Sequence, residues 1–190
     1  MARKIDVDTQ PSLIARIRDH HDHEAWQAFT EVYGPLIYSF CRARRLQPAD
    51  AADVTQEVLL RVAKAIQNFR YDQQVGLFRD WLARIVANET SRLWTRKKDA
   101  QLPDGFEAPA LHTDWNDQFY HHIIRAALRR CQPRFAEQNW KIFLASWQQR
   151  ISIADIAAKF DVRVDQVYVV RSRVLKRLRD EIAILSDDLP

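Results

Sequence analysis

Apolar residues recur at helical spacing along most of this 190-residue chain. Phe78, Trp81, Leu82 and Ile85 fall at positions i, i+3, i+4 and i+7, which places them on one side of a helix. The chain contains only three glycines, with an apolar fraction of 47% and a charged fraction of 28%. The sequence therefore predicts a helix-rich, all-α protein.

One stretch lacks this helical period. Residues 99–113 contain two prolines, one glycine and several acids, a composition typical of an extended linker. Between Asp99 and Gln118 there are five acidic residues and no Lys or Arg, while both flanking segments end in basic clusters. We expect two small helical domains joined by a flexible acidic linker, in a chain that contacts a polyanion at two places.

The cysteines and the apolar runs indicate the compartment. Cys41 and Cys131 lie far apart, without a CxxC pattern or a histidine at ligand spacing, so we expect buried, reduced thiols. No apolar run is long enough to span a membrane, and the first ten residues lack the apolar core of a signal peptide. The sequence predicts a cytoplasmic protein that has no membrane partner.

Breaks in the apolar period predict the helices of the first half. We expect a helix over Ser12–His20 and a second helix that Gly34-Pro35 ends, with a third helix directly after it. A long helix is expected over residues 48–69. It carries an outward stripe in which acids and an amide flank one large apolar residue: Asp53, Gln56, Glu57, Leu60 and Lys64.

This stripe has two interpretations. An exposed leucine flanked by carboxylates suits a protein partner with a basic surface. An ordinary solvated helix face explains the same residues equally well. A metal site is less favoured, because no histidine joins the acids.

The segment from Phe69 to Lys98 alternates aromatic and cationic residues in a way that suits nucleic acid. Between Arg84 and Lys98 there are five Arg or Lys and one Glu, a charge that matches phosphate. Residues 71–76 break the period and read as a loop that could hold an unpaired base. The alternative is a core helix with a solvated basic end.

Two helices of the second half have the proportions of a helix-turn-helix. Ser152 and Asp155 have capping-box spacing, residues 161–163 form a short break, and a long helix follows over about 164–184. Its outward positions are Asp165, Val169, Ser172, Arg173 and Lys176, with Gln166, Tyr168 and Arg179 at the edges. In a major groove, Arg173 could reach guanine or phosphate and Gln166 could read adenine. A plain helical hairpin with a basic face is the alternative.

Two clusters contain residue types that bind metals, and we expect a metal at neither. His20, His21 and His23 meet at a helix junction, where such a cluster is more often simply polar. Asp50, Asp53 and Glu57 would hold Mg²⁺ if the chain were a nucleic-acid enzyme. We expect no cofactor, and the family resemblance given below implies no catalysis.

Three motifs follow one another along the chain. The first is Asp50-Ala-Ala-Asp53-Val-Thr-Gln56-Glu57-Val-Leu-Leu, and the second is Tyr71-Asp72 with Gly76-Leu-Phe78-Arg79-Asp-Trp81-Leu82 and, further on, Asn88. The third spans residues 151–178. Together they resemble the extracytoplasmic-function group of bacterial RNA polymerase sigma factors, across nearly the whole length.

The resemblance implies a function for each part. Residues 1–98 would be the region 2 domain, which binds polymerase and the −10 promoter element. Residues 99–113 would be the acidic linker. Residues 114–190 would be the region 4 helix-turn-helix domain, which binds the −35 element. The implied partners are promoter DNA, the clamp helices of the largest polymerase subunit, the flap of the second-largest subunit and, in some members, an anti-sigma factor.

The resemblance also assigns roles to single residues. Polymerase would contact Asp53, Gln56, Glu57 and Leu60. The −10 element would contact Tyr71, Asp72, Arg84, Asn88, Arg92, Arg96, Lys97 and Lys98. The −35 element would contact Asp165, Gln166, Tyr168, Val169, Ser172, Arg173 and Lys176.

The chain departs from the family pattern at several positions. Asp161 stands where the turn usually has glycine or a small residue, and we expect it to adopt the left-handed conformation that Asp tolerates. Arg163 replaces the usual Ser or Thr cap, Tyr168-Val169-Val170 replaces a more polar stretch, and Arg92 replaces an acid. A stand-alone helix-turn-helix regulator is the alternative function.

Overall fold

A computed structural model describes residues 11–69, 77–98, 114–147 and 151–186. The helices in these ranges are α1 (Leu13–Arg16), α2 (His23–Ala43), α3 (Pro48–Ala65), α4 (Phe78–Lys98), α5 (Trp115–Cys131), α6 (Glu137–Trp147), α7 (Ile153–Phe160) and α8 (Val164–Leu185), with single 3₁₀ turns at Ile66–Asn68 and Gln132–Arg134. None of the described ranges contains a strand. The predicted all-α fold is confirmed.

The chain forms two compact units, and the division falls inside α5. Of the described residues, the first unit comprises 11–69, 77–98, 114–122 and 186, and the second comprises 123–147 and 151–185. The predicted linker, residues 99–113, lies outside the described residues, as do the first ten residues.

The predicted break at Gly34-Pro35 is wrong, because α2 continues through Pro35 to Ala43. A proline inside a helix costs about 3 kcal/mol through its missing N–H and its ring clash. On either side of it, Tyr33 and Ile37 are completely buried, and burial of one such side chain contributes roughly 1.5–3 kcal/mol. Close to the proline, Nε2 of His122 donates to the carbonyl of Val32 at 2.6 Å. Tertiary packing therefore outweighs the local helix-breaking signal.

The first helix is shorter than predicted, because α1 ends at Arg16 and not at His20. Arg16 donates to both carboxylate oxygens of Asp22 at 2.9 Å. Asp22 is at the same time the N-cap of α2, since its carboxylate accepts from the N–H of Ala25 at 2.9 Å. Both contacts lower the pKa of Asp22 below its ordinary value. The chain thus turns early to start α2.

Stacked and edge-on aromatic rings make up the core of the first unit. Phe29 and Tyr33 stack at 4.5 Å between ring centroids, and Phe78 meets Tyr33 edge-on at 5.5 Å. Phe40 and Trp115 meet edge-on at 4.7 Å. Ring pairs of this geometry contribute about 0.5–1.5 kcal/mol each beyond the area that they bury. This core packs α4 and the start of α5 against α2.

The inner faces of α3 and α4 follow the helical period. Val54, Val58 and Val62 are buried on α3, as their spacing predicts. On α4 the predicted stripe is only partly correct, because Trp81 and Ile85 remain partly exposed. The buried stripe includes Phe78, Leu82 and Val86, and it ends in two polar residues, Glu89 and Thr90. The buried face of α4 is therefore rotated slightly from the predicted one.

In the second unit, α6, α7 and α8 pack against one another. The predicted inward positions of α8, namely Val167, Val170, Val174 and Leu178, are all buried. The fully buried carboxylate of Glu181 accepts from Nε of Arg130 at 3.0 Å and also pairs with Arg177. Arg134 lies 3.9 Å from the same carboxylate, so three arginines compensate the charge of an acid inside the core.

The start of α7 and its connection to α8 each match the prediction in one local detail. Ser152 is the N-cap of α7, since its Oγ accepts from the N–H of Asp155 at 3.1 Å. Asp161 ends α7 in the left-handed conformation, with φ 52° and ψ 53°. The N–H of Val162 then bonds to the carbonyl of Ala157 at 3.0 Å, which satisfies one of the last carbonyls of α7.

Candidate polymerase and nucleic-acid interfaces

The outward face of α3 combines acids, an amide and one large apolar side chain. Asp53, Gln56, Glu57 and Leu60 are all exposed, and Leu60 retains 53% of its accessible surface. They share one face because they lie at positions i, i+3, i+4 and i+7 of a helix whose other face is buried. This face is thus available to a partner molecule.

A groove lies between this face of α3 and the outer face of α4. Its volume is about 830 Å³, and both helices line it: Glu57, Arg61, Asn88, Glu89, Ser91, Arg92, Thr95 and Arg96. Three of these residues are arginines and two are acids. The groove is large enough for a nucleotide base and its sugar, and its rim is cationic.

Glu89 organises the charges of this groove. The residue is only 5% exposed, and its Oε1 accepts from Nε of Arg61 at 3.0 Å and from Nη1 of Arg92 at 2.8 Å. The two guanidinium groups come from different helices and are each about half exposed. A buried carboxylate therefore fixes two arginines at the rim while each presents its remaining N–H groups to water.

The sequence prediction missed both Glu89 and Arg61. Two local signals were present: Glu89 is the single acid between Arg84 and Lys98, and it stands three positions before Arg92. No local signal pairs Glu89 with Arg61, because the two residues meet only once α3 packs on α4.

The predicted cationic residues of α4 differ in what they contact. Nε of Arg84 donates to the carbonyl of Asp80 at 3.3 Å, and Nε of Arg96 donates to the carbonyl of Arg92 at 3.4 Å. Lys97 instead forms an ion pair with Asp50, at 2.5 Å between Nζ and Oδ2. Its charge is therefore partly neutralised by α3. Tyr71, Asp72 and the side chain of Lys98 lie outside the described residues.

The predicted outward positions of α8 are all exposed: Asp165, Gln166, Tyr168, Val169, Ser172, Arg173, Lys176 and Arg179. At the start of the helix, Arg163 donates to both oxygens of Asp165, at 3.0 and 2.9 Å. This pair is highly exposed on both sides, so it contributes little to stability. The remaining cations of the face, Arg173, Lys176 and Arg179, stand along one side of the helix.

The cysteines are buried free thiols, as the sequence predicts. Burial raises the pKa of Cys41 to about 11 and also raises the pKa of Cys131 above its ordinary value. Both groups are therefore protonated and poorly nucleophilic at neutral pH.

Among the described residues, no three His, Cys, Asp or Glu side chains come together as metal ligands. His20, His21 and His23 are exposed at the start of α2. Within the same part of the chain, no helix combines the length and apolarity needed to cross a lipid bilayer.

Residues 29–100, which include most of α2, all of α3 and α4 and therefore the groove, match the family model of sigma-70 region 2. Over 186 residues, the chain is 26% identical to the ECF RNA polymerase sigma factor SigE of Mycolicibacterium smegmatis, a match that covers 94% of this chain and 69% of that protein. Both matches support an extracytoplasmic-function sigma factor of the sigma-70 family, as the motifs of the sequence indicate. The same matches support a DNA-binding protein of transcription initiation.

Proposed function

We propose that the chain is a dissociable specificity subunit of RNA polymerase, without catalysis of its own. It binds core polymerase, recognises −10 and −35 promoter elements, promotes DNA melting and acts in the cytoplasm. The observation that carries the proposal is the juxtaposition on α3 and α4 of an exposed acidic-apolar face and an arginine-lined groove. One small unit thus offers two adjacent surfaces, which share Glu57, to a protein and to a nucleic acid.

The polymerase contact is assigned to the α3 face. Leu60 supplies an apolar anchor that loses its exposed surface on binding, and Asp53 and Glu57 flank it with negative charge. An anchor of this kind ringed by charges is typical of an interface hot spot with a basic partner. The clamp helices of the largest polymerase subunit are the proposed partner of this face.

The −10 contact is assigned to the groove and to the outer face of α4. Unstacking a base costs a few kcal/mol, which stacking on aromatic side chains and contacts between phosphates and arginines offset. Arg84, Asn88, Arg92 and Arg96 supply the polar side, with Arg61 added by the structure. Because its Nζ already pairs with Asp50, Lys97 is a weaker candidate. Tyr71, Asp72 and Lys98 remain part of the proposal on the strength of the family pattern.

The −35 contact is assigned to α8 as the recognition helix of a helix-turn-helix. The short turn and the buried valines of α8 hold one face of the helix outward, and that face carries Arg173 and Lys176. Its first turns would reach base edges and its later cations would contact phosphates. The domain limits 1–98, 99–113 and 114–190 belong to this proposal, as does an acidic linker that imitates nucleic acid in the polymerase channel.

Two further partners complete the proposal. In the second unit Leu144, Trp147 and Ile151 are exposed, and they offer an apolar surface to the polymerase flap. An anti-sigma factor would be expected to compete for the α3 face, since covering Leu60 blocks polymerase binding.

Transcription from a randomised promoter library tests the function directly. Core polymerase is combined with the full-length chain, and the transcripts that depend on the chain are sequenced. We expect start sites that share a −10 and a −35 element at fixed spacing. Unchanged start sites, or duplex binding by the chain alone with no need for polymerase, would refute the proposal in favour of a stand-alone regulator.

A double substitution tests the α3 face. Glu57→Lys with Leu60→Ala should weaken polymerase binding about tenfold or more, which corresponds to ~1.4 kcal/mol, because it removes both the apolar anchor and a favourable charge. Glu31→Lys is the matched control, since Glu31 is an exposed acid on α2 of the same unit. Equal affinities for the double variant and the control would exclude this face as the interface.

A further inference from the structure

The centre of the exposed face of α8 is occupied by an aliphatic residue. Val169 retains 45% of its surface, and it lies in the second turn of the helix. Its neighbours on the same face, at i−4, i+3, i+4 and i+7, are Asp165, Ser172, Arg173 and Lys176, all of them exposed. Val169 is thus an exposed aliphatic side chain that has polar and cationic neighbours on its own face and the exposed ring of Tyr168 beside it.

The charges around Val169 indicate what covers it. Arg173 and Lys176 stand on the same face, and Arg179 follows near its edge. A surface that binds an apolar protein groove would instead continue as an apolar patch with fewer cations at its centre. Duplex DNA fits this combination of a central valine and nearby cations. Its phosphates form ion pairs with the cations, while its base edges meet the middle of the face.

We propose that Val169 contacts the C5-methyl group of a thymine in the −35 element, so that this residue specifies a T·A pair. The proposal rests on the proposed function of α8 as the recognition helix. Valine has no donor or acceptor in its side chain. Against cytosine N4 or adenine N6 it would exclude water and leave that group without a partner, whereas the thymine methyl is an apolar surface in the major groove. Val169 therefore selects a T·A pair by disfavouring bases that present a polar group at this position.

The expected effect is small and measurable. Removal of one methyl-sized group from an apolar contact corresponds to ~0.8 kcal/mol, a change of about fourfold in affinity. A substitution at Val169 leaves the fold intact, because this side chain faces outward and alanine is a better helix former than valine.

Deoxyuridine, which lacks the C5-methyl group, is the probe. Holoenzyme made from full-length chain binds a promoter whose −35 element is that selected from the library. Each thymine is replaced in turn by deoxyuridine, and the affinities are compared. We expect one position at which the replacement weakens binding about fourfold, and we expect Val169→Ala to abolish that difference. Ser172→Ala, one turn further along, should leave the difference in place.

The outcomes are distinguishable. If the holoenzyme selects a −35 element but no thymine depends on its methyl group, or if Val169→Ala retains the full dependence, the methyl contact is refuted while the sigma-factor function stands. If Tyr168→Ala abolishes the dependence on the methyl group and Val169→Ala does not, the methyl contact is also refuted, since another residue then makes it. Selection of no −35 element refutes the proposed role of α8 itself.

Discussion

The substitution Glu89→Gln tests whether the buried carboxylate controls the arginines of the groove. It retains the size of the side chain and one neutral acceptor but removes the charge. Oε1 of Glu89 accepts from Arg61 at 3.0 Å and from Arg92 at 2.8 Å. A hydrogen bond to a charged group contributes about 1.5–3 kcal/mol net. Since both guanidiniums are about half exposed, water recovers roughly half of each contribution.

The two halved contributions sum to about 1.5–3 kcal/mol, and the neutral acceptor of glutamine recovers part of this sum. We therefore expect Glu89→Gln to lower the free energy of unfolding by about 1–2 kcal/mol, measured in urea. Although stability falls, the affinity for non-promoter DNA should rise, because the two released guanidinium groups become available to phosphates. Each additional phosphate contact on single-stranded DNA steepens the logarithmic dependence of affinity on salt by about 0.7. The slope should thus become steeper by about 0.7–1.4, and preference for promoter sequence should fall.

Two variants make this experiment decisive. Glu24→Gln removes an equal charge from the same unit, at an exposed acid that lies 3.3 Å from Arg16, and it should change neither the slope nor the preference. Adding Arg61→Gln to Glu89→Gln should make the salt dependence of DNA affinity less steep again, because one of the two released cations is removed. If Glu89→Gln behaves like Glu24→Gln in DNA binding, the carboxylate has a structural role only.

The remaining predictions concern stability. Asp161 has a φ of 52°, which glycine adopts without strain, so Asp161→Gly should raise the free energy of unfolding by about 0.5–1 kcal/mol. Asp161→Val should lower the free energy of unfolding. A glycine variant that is less stable in urea than the unsubstituted protein would contradict this. The pKa of Cys41, about 11, lies above the ordinary thiol value of 9.0, so the folded state keeps a proton that the unfolded state releases. The stability that this thiol contributes is complete below pH 9 and should decrease by up to ~1.4 kcal/mol per pH unit between 9 and 11. Cys41→Ala should lack this decrease, and parallel curves for the two proteins would refute it.

Helical period predicted the fold class and the faces of α3 and α8, because burial on one side of a helix is a local pattern. Ser152 and Asp161 were also predictable, since caps and left-handed turns depend on the residue itself. Pro35 was misleading: a local signal of about 3 kcal/mol gave way to aromatic packing from α4 and α5. Arg61 and Glu89 could not be paired, because their contact depends on how two helices pack. The loop at 71–76 and the linker remain predictions.

The position of Trp115 limits how the first unit can be prepared in isolation. Its ring contacts Phe40, and its Nε1 donates to the carbonyl of Arg79 at 3.0 Å. Further along α5, His122 bonds to the carbonyl of Val32 beside the proline of α2. A truncated protein that stops at Lys98 would lose these contacts and expose the aromatic core to water. Truncation after His122 retains them, so an isolated fragment for spectroscopy should extend to that residue.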